Sequence, residues 1–410
     1  MTSRARSVAL LLAIALALGS LAATRAAAPI LVLISFDGFR WDYLDRGETP
    51  NLKALAARGV RSAGLIPSFP SFTFPNHYTI VTGLYPEHHG IVANTMDDPR
   101  WPDRFSMTSL TSREQRWWGG EPIWVTARLQ GLRSGAVFWP GSEIAVKGIP
   151  PNDWLTFDDE MPNVDRVNHA LDELARPEGT RPSFITVYFS EVDHVGHDYG
   201  PDSPEMPEAL RHVDAALGLL QAGLRDLRLA DRTTLAVVSD HGMAPLSDER
   251  VIFLDDYVEL SRVDVVEWGE VLQLRPKAGT SVDEIYRAMK GRHPSMTVYR
   301  REEIPERLHY RANDRIQPIV ALAGEGWEIT SHARWENDLA RHRKRGGAHG
   351  YDPQLRSMHG LFVAAGPRVK RGVVAKEFEN VHIYDFMCAV LGLTPAKNDG
   401  DPAVTRAFLN

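Results

Sequence analysis

Four apolar runs along the chain are its strongest secondary-structure signal. They cover Ile30–Phe36, Phe184–Phe189, Thr233–Val238 and Leu361–Ala365. Their continuous β-branched and aliphatic residues, bounded by turn residues, predict parallel strands that are buried on both faces. Each of the first three runs leads into a short segment that contains aspartate. The pattern therefore predicts acidic side chains at the ends of buried strands.

The segments between these runs predict helices at Thr49–Arg58, Asn163–Arg176 and Pro207–Leu227. This alternation indicates an α/β fold with a mostly parallel central sheet and helices on both faces. In such folds the functional site lies at the carboxyl ends of the strands. Residues 250–347 show charged, irregular patterning and no linker. We therefore expect a small inserted segment there, packed on a single domain that spans residues 29–410.

The first 28 residues have the pattern of an export signal. Arg4 and Arg6 precede an uncharged stretch at residues 7–24, and the small residues Ala26–Ala28 follow. This pattern predicts a cleaved signal peptide at residues 1–28, with a retained membrane anchor as the alternative. We expect a periplasmic or secreted mature protein without a stable membrane span. Cys388 is the only cysteine, so no intrachain disulfide can form, as in many exported bacterial enzymes.

The composition narrows the class of protein but not its chemistry. Of the 410 residues 43% are hydrophobic and 24% are charged, which is typical of a globular protein and excludes a disordered or fibrous one. A formal net charge of −7 argues against a protein that coats nucleic acid, because such proteins need a broad basic surface. The one dense basic run, Arg341–Arg345, is interpreted as a solvated loop, with attraction of phosphate as the alternative.

Three aspartates at predicted strand ends have the character of metal ligands. Asp37 follows the first strand, while Asp193 is followed four residues later by His197, and Asp240 is followed directly by His241. A single acid after a strand is usually a turn former, but three that share an edge with histidines form a ligand set suited to zinc or a similar divalent ion. Because zinc takes about four donors, a set of this size favours two metal ions.

A threonine-containing helix lies between the first two of these strands. Thr73 is expected at the N-cap position, Pro75 in the first turn, and Gly83 at the end of the helix. Thr73 could simply cap the helix. Alternatively, the helix N-terminus favours an anion beside its hydroxyl. A threonine hydroxyl is a poor nucleophile at neutral pH and needs a base or a metal ion to ionise it.

Several motifs occur in an order that is recognisable. They are Asp37-Gly38 after a strand, TFPNHY at 73–78, TGLYPEHHG at 82–90, DxxGH at 193–197, SDHGM at 239–243 and AHGYD at 348–352. In this order the chain resembles the nucleotide pyrophosphatase/phosphodiesterase family of the alkaline phosphatase superfamily. The resemblance extends from about Leu31 to about Pro367. It implies an alkaline-phosphatase-like fold with the metal site at the strand carboxyl ends.

The resemblance also implies roles for individual residues. The implied ligands of two zinc ions are Asp193, His197 and His349 for one ion, and Asp37, Asp240, His241 and the Thr73 oxygen for the other. Thr73 would be the nucleophile and Asn94 would bind a phosphate oxygen. Phe74 and Tyr188 would stack on a nucleobase, with a role as core aromatics as the alternative. The implied reaction is zinc-dependent hydrolysis of nucleotide phosphodiester and pyrophosphate bonds through a phospho-threonine intermediate.

Two His-Gly pairs compete for the last ligand position. His349 lies in a glycine-rich loop whose HGYD string resembles the family pattern, whereas His359 lies two residues before the start of the last predicted strand. We therefore expect His349 to bind metal and His359 to be structural.

Other functions remain as alternatives. A related hydrolase that acts on phosphonoacetate or choline-phospholipid diesters could keep every metal ligand. A sulfatase would need a modifiable residue in a C/S-x-P-x-R string, which the Thr73 segment lacks. From a different class, a non-catalytic periplasmic protein could bind nucleotide or metal, but metal binding alone does not require Thr73.

Overall fold

A computed structural model describes residues 28–341 and 343–410, so residues 1–27 of the expected signal peptide lie outside the described residues. The strands of the first part of the chain are β1 (Ile30–Phe36), β2 (Val60–Ser62), β3 (Leu65–Ile66), β4 (Thr95–Asp97), β5 (Arg104–Ser106), β6 (Ser134–Val137), β7 (Asp153–Trp154), β8 (Phe184–Phe189) and β9 (Thr233–Val238). The later strands are β10 (Ala244–Pro245), β11 (Val251–Phe253), β12 (Val263–Glu267), β13 (Val271–Pro276), β14 (Met296–Arg300), β15 (Ile319–Ala323), β16 (Glu328–Thr330), β17 (Gly347–Ala348), β18 (Phe362–Ala365), β19 (Val373–Ala375) and β20 (Phe378–Glu379).

The helices are, in chain order, α1 (Pro50–Ala57), α2 (Thr73–Thr82), α3 (Pro86–His89), α4 (Ile123–Leu129), α5 (Asn163–Ala175), α6 (Glu191–Tyr199), α7 (Met206–Asp226), α8 (Val282–Met289), α9 (His332–Ala340), α10 (Ile383–Leu391) and α11 (Pro402–Arg406). The three predicted helices correspond to α1, α5 and α7, with ends that differ by one residue at most. Within the described residues, no helix combines the length and apolarity needed to cross a membrane.

The central sheet has eight strands in the order β19-β2-β18-β9-β1-β8-β6-β7. β1 pairs in parallel with both β8 and β9, and these three strands have the predicted bounds. β18 begins one residue later than predicted and is antiparallel to β9, so the prediction of a fourth parallel strand is wrong. A continuous apolar run indicates that a strand is buried on both faces, but it does not indicate the direction of the strand relative to its neighbours. The chain leaves the sheet at the carboxyl end of β9 and re-enters it beside β9 at that same end. β18 therefore runs in the opposite direction to β9.

Helices cover both faces of this sheet, which confirms the predicted fold class. Along β1, Leu31 and Leu33 enter one hydrophobic core, while Val32 and Ile34 enter the other. This alternation is the period of two that a strand imposes on its side chains. The first core also contains residues of α2, α4 and α10, and the second contains residues of α1, α5 and α7. Both faces of β1 are therefore buried.

The segment at about 250–347 contains regular secondary structure although its sequence pattern is irregular. It contains the four-stranded antiparallel sheet β12-β13-β15-β14 together with α8. Buried residues such as Leu272, Ile285 and Ala321 form a third hydrophobic core there. The sequence pattern there is charged and irregular because short strands with one partly exposed face, such as β12 (Val263–Glu267), carry charged residues that interrupt the apolar runs.

Candidate metal centre and substrate cavity

Three buried carboxylates meet at the carboxyl edge of the parallel strands. Asp37 follows β1, Asp193 lies in the first turn of α6 after β8, and Asp240 follows β9. Gly38 adopts a φ of +67°, and a Cβ at this position would lie 2.9 Å from the Asp193 Cα. The backbone N–H of Gly38 donates to Asp240 Oδ1 at 3.3 Å. A glycine at this turn therefore allows the three segments to approach one another.

Three histidines turn the same ring nitrogen toward these carboxylates. The Nδ1 atoms of His197, His241 and His349 lie 2.7–3.0 Å from the backbone carbonyls of Gly347, Gly242 and Ser71, respectively. Because a carbonyl only accepts hydrogen bonds, each Nδ1 must carry the proton when the ring is neutral. Each Nε2 then has a free lone pair directed into the centre, which is the arrangement of a metal-binding histidine.

One oxygen of each carboxylate has no aligned hydrogen-bond donor among the described residues. These buried atoms are Asp37 Oδ1, Asp193 Oδ1 and Asp240 Oδ2. His241 Nε2 lies 3.4 Å from the first and 3.0 Å from the third. Leaving buried charged oxygens without partners is costly, so the donor set fits a bound cation.

The second half of the centre shows the same feature. Asp193 Oδ1 lies 3.5 Å from His197 Nε2 and 3.7 Å from His349 Nε2. The two Nε2 atoms are themselves 3.1 Å apart. Two lone pairs that face each other at this distance repel unless a cation or a proton lies between them. This triad therefore fits a metal ion with mixed oxygen and nitrogen ligands, as the sequence predicted.

The electrostatics of the centre reflect crowded negative charge. Burial, followed by the charges of Asp240 and Asp193, raises the pKa of Asp37 well above its ordinary value. Burial and the neighbouring His241 lower the pKa of His349 to about 3. His349 is therefore neutral at physiological pH, and its Nε2 lone pair is available to a cation.

The structure brings the predicted ligands together in overlapping sets. Ligand atoms of Asp193, His197 and His349 lie within 4.8 Å of one another. A second such set contains Asp37, Asp193 and His241, and a third contains Asp37, Asp240 and a further histidine, His77. The sets share members, so the donors form one continuous strip instead of separate clusters.

His77 is a member of this centre that the sequence analysis missed. Its Nδ1 lies 2.9 Å from the Thr73 carbonyl and 3.2 Å from Asp240 Oδ2, and its Nε2 lies 2.8 Å from Ser35 Oγ. Nδ1 faces two acceptors and must carry the proton, so His77 contacts Asp240 through an N–H and does not offer a cation a lone pair from this nitrogen. The available signal was its position one helical turn after Thr73 in the TFPNHY string.

Thr73 lies at the head of α2 with its hydroxyl directed to the centre. It is 8% exposed, and its Oγ1 lies 3.3 Å from His241 Nε2. The helix begins at Thr73 itself, and Phe72 is the N-cap residue, so the predicted N-cap role of Thr73 is wrong. The hydroxyl makes no capping hydrogen bond. It therefore remains available for chemistry, while Gly83 ends the helix with a φ of +66°, as predicted.

Asn94 lies beside the same helix head. Its Oδ1 accepts a hydrogen bond from the backbone N–H of Phe74 at 3.1 Å. This contact leaves the amide nitrogen as the part of the side chain that can donate to a ligand. The predicted phosphate-binding residue is thus next to the predicted nucleophile.

A cavity of about 460 Å³ opens beside the centre. Its aromatic walls include Phe74, Trp118, Trp139, Phe157 and Tyr188. The Tyr188 hydroxyl donates to Asp37 Oδ2 at 2.6 Å, and the side chain is 8% exposed. Phe157 packs edge-on against Tyr188 and is 46% exposed. Phe157 therefore presents the larger apolar face, and no motif in the sequence marked it.

Arg113 is the arginine of the cavity lining. Its Nε lies 3.2 Å from Glu143 Oε2, so its charge is already paired. A larger cavity of about 640 Å³ lies at the opposite edge of the sheet, where α1 and α7 end at Arg58 and Asp226. Helix C-termini disfavour anions. None of the predicted metal ligands lines this second cavity.

Residues that the sequence analysis set aside lie outside the centre. His359 Nε2 faces the Pro353 carbonyl at 3.0 Å, and its Nδ1 faces Arg356. In the basic run, Arg343, Lys344 and Arg345 pair with Asp338, Asp198 and Glu328, respectively, while His342 lies outside the described residues. These cations are therefore already neutralised by neighbouring acids.

Comparisons with known proteins point to one family. A family model described as type I phosphodiesterase / nucleotide pyrophosphatase matches residues 31–352. A bis(5'-adenosyl)-triphosphatase of Xenopus laevis is 39% identical over 388 residues, which cover 94% of this chain and 83% of the relative. Human ectonucleotide pyrophosphatase/phosphodiesterase family member 1 is 38% identical, and the match covers 91% of this chain but 41% of that longer protein.

Solved structures give the same result. The murine ectonucleotide pyrophosphatase/phosphodiesterase 5, an inactive threonine-to-alanine variant in complex with AMP, superposes with a TM-score of 0.88 at 37% identity. The match covers 93% of this chain and 100% of the murine one. The human counterpart gives a TM-score of 0.87 at 35% identity.

Proposed function

The chain belongs to the type I phosphodiesterase / nucleotide pyrophosphatase family of phosphodiester hydrolases, and we propose that it uses two zinc ions and Thr73 as the nucleophile. The proposed substrates are nucleotides with a phosphodiester or pyrophosphate bond, such as nucleoside triphosphates, and the proposed product is a nucleoside monophosphate. The observation that carries the proposal is the helix-head hydroxyl of Thr73 beside three histidines and three carboxylates, each carboxylate with one oxygen that lacks an aligned donor.

The proposed ligand sets are those implied by the sequence. Asp193, His197 and His349 would hold one ion, and Asp37, Asp240, His241 and the Thr73 oxygen would hold the other. When bound, two divalent ions would supply the positive charge that favours ionised Thr73 and offsets the charge of the phosphate oxygens. His77 would keep Asp240 in place from behind.

The proposed reaction has two displacements at phosphorus. Thr73 Oγ1 forms a bond to phosphorus as the bond to the leaving oxygen breaks, which produces a phospho-threonine ester. A water molecule then forms the next bond to phosphorus, and the bond to Thr73 breaks. The inactivity of the murine threonine-to-alanine variant, which still carries AMP, supports an essential threonine in this family.

Asn94 would hold a nonbridging phosphate oxygen through its amide nitrogen. Its carbonyl oxygen is occupied by the N–H of Phe74, which supports this orientation. A neutral amide suits a diester, which carries one negative charge at the reacting phosphate. A monoester carries more charge and would call for a free cation, whereas Arg113 is paired with Glu143.

The aromatic cavity would hold the nucleoside. A base could stack on Phe74, with Tyr188 and the more exposed Phe157 as the opposite wall. Every nucleobase offers a π-face, so this arrangement favours nucleotides without selecting one base. We also propose that residues 1–28 are a cleaved signal peptide, that residues 29–410 form one catalytic domain, and that the mature protein is periplasmic or secreted.

The test compares four substrates with wild-type protein before and after chelation, and after zinc is restored. They are a nucleoside triphosphate, bis(p-nitrophenyl) phosphate, p-nitrophenyl phosphate and a choline phospholipid. We expect zinc-dependent cleavage of the first two, with nucleoside monophosphate and pyrophosphate as the products from the triphosphate. Acid quenching should trap nucleotide on the peptide that contains Thr73. A preference for the monoester or the phospholipid, or no turnover at all, would overturn the proposal.

A further inference from the structure

The loop that carries Asn94 is held from outside by the inserted segment. This Asn94 loop comprises residues 90–98, which begin directly after α3 and end one residue after β4. The hydroxyl of Tyr310 donates to the Val92 carbonyl at 2.6 Å. Glu267 Oε2 accepts the backbone N–H of Thr95 at 2.8 Å. Two residues of the inserted segment therefore bind the backbone on either side of Asn94.

Arg315, also in the inserted segment, binds both ends of the same loop. It is 5% exposed, and its Nη1 donates to the Gly90 carbonyl at 2.7 Å. Its Nε donates to Asp98 Oδ2 at 2.7 Å. Nη1 and Nη2 also donate to the Trp117 and Arg116 carbonyls, at 2.6 Å and 3.0 Å. One planar guanidinium thus joins the start of the loop, its end and the segment that leads to the cavity wall.

Asn94 is in turn connected to the nucleophile helix and to the cavity. Its side-chain oxygen accepts from the N–H of Phe74, the residue after Thr73. Its backbone carbonyl accepts from the N–H of Met107, which lines the cavity, at 3.0 Å. A shift of the loop would therefore move the amide relative to Thr73.

We propose that Glu267 and Arg315 are positioning residues that hold Asn94 where its amide meets the substrate phosphate. This inference rests on the proposed function, in which Asn94 binds a phosphate oxygen. The inserted segment thereby contributes to substrate binding through hydrogen bonds to the loop backbone. This contribution is separate from that of the proposed metal ligand His349, which follows the segment in the chain. A displacement of about 1 Å at a binding group can cost about a hundredfold in rate.

Glu267 offers a matched pair of variants. Glu267→Gln keeps an oxygen that can accept the Thr95 N–H, whereas Glu267→Ala removes the acceptor. We expect Glu267→Ala to lower kcat/KM for a nucleotide diester about tenfold, mainly through KM, and Glu267→Gln to stay within about twofold of wild type. Equal losses in the two variants would overturn the proposal.

A double-mutant cycle with Asn94→Ala separates positioning from general destabilisation. If Glu267 acts through Asn94, Glu267→Ala costs little further activity when Asn94 is already alanine. A full additional loss in that background would overturn the proposal. AMP binding by calorimetry, with zinc supplied, should show the same pattern as a readout that does not depend on turnover. Zinc content should be unchanged in all variants, because none of these residues is a proposed ligand.

Arg315→Lys provides a second route if Glu267→Ala does not fold. Lysine keeps the charge but cannot reproduce the fork that joins Gly90 and Asp98. We expect a similar rise in KM that again disappears in the Asn94→Ala background. Wild-type protein that neither hydrolyses nucleotides nor binds AMP would overturn the proposed function and this inference with it. Wild-type protein that is active, with additive losses in the cycle, would overturn the positioning inference alone.

Discussion

The metal centre and the cavity beside it are built in different ways. The centre is assembled at the ends of β1, β8 and β9, whose direction and register place Asp37, Asp193 and Asp240 at one edge. The cavity is assembled from residues of α2 and β8 together with separate stretches of irregular chain, and its wall at Met107–Trp118 depends on hydrogen bonds from the inserted segment. The centre is crowded with charge, whereas the cavity is mostly aromatic.

This difference separates two contributions to the proposed function. The centre should determine whether phosphate is cleaved at all, because it carries the charged groups and Thr73. The cavity should determine which phosphate esters are cleaved well, because its aromatic walls can contact only the nucleoside. A substitution in one region that altered the property assigned to the other region would contradict this division of roles.

The largest effect is expected from Thr73→Ala. Removing the hydroxyl removes the proposed nucleophile, so kcat should fall at least about a thousandfold for every substrate. AMP binding should remain, because the proposed aspartate and histidine ligands, Asn94 and the aromatic walls of the cavity are unchanged. The control is Thr82→Ala at the other end of α2, where the hydroxyl donates to the Tyr78 carbonyl. Activity that survived in the Thr73 variant would contradict the role of the centre.

The next effect compares the two His-Gly pairs. His349→Ala should lower the zinc content from two ions to about one and reduce kcat on the order of a hundredfold, for nucleotide and simple diesters alike. His359→Ala should leave the zinc content unchanged, because its ring faces Pro353 and Arg356 instead of the centre. Metal analysis after dialysis provides the measurement. Equal metal loss in both variants would contradict the proposed ligand set.

The contrast between the two regions also explains what the sequence could predict. Asp37, Asp193 and Asp240 were identifiable because each follows a long apolar run, and parallel strands bring their carboxyl ends to one edge. Their role as ligands stays a prediction. Phe157 was not identifiable, because an aromatic residue in a loop becomes a cavity wall only through the packing of distant segments.

The inserted segment was the least predictable part for the same reason. β12 is part-exposed and mixes charged with apolar positions, so it lacks the continuous run that marks β1. The contacts of the inserted segment to the Asn94 loop include those of Glu267 and Arg315, which are separated from that loop by more than 150 residues in sequence. Hydrogen bonds of this kind leave no local pattern, since any polar residue that packs near the loop could supply them.

A smaller effect is expected from Phe157→Ala in the cavity. Loss of a stacking face costs about 1–3 kcal/mol per base, so KM for nucleotide substrates should rise about tenfold. A diester without a base, such as methyl p-nitrophenyl phosphate, should be affected little. Trp154→Ala is the matched control, because Trp154 is similarly exposed, at 43%, and does not line the cavity. An equal loss for both substrates would mean that Phe157 supports the centre instead of the nucleoside.

The smallest effect concerns stability and tests how the Asn94 loop is held. Burial raises the pKa of Glu267 to about 7, although the N–H of Thr95 opposes this, whereas an unperturbed glutamate titrates at 4.5. Between these pH values the folded state binds more protons than the unfolded state, so the free energy of unfolding falls as pH rises. Glu267→Gln removes this titration while keeping an acceptor for Thr95.

The advantage of Glu267→Gln over wild type should therefore grow between pH 5 and pH 8, by on the order of 1–3 kcal/mol. Urea unfolding of both proteins at the two pH values measures it, and the pH dependence of the metal centre cancels in the difference. A difference that stayed constant with pH would show that the carboxylate charge is compensated in the folded state. A growing difference would mean that the Asn94 loop is held by a hydrogen bond and in spite of a charge, whereas in the centre the charges themselves are what a cation would require.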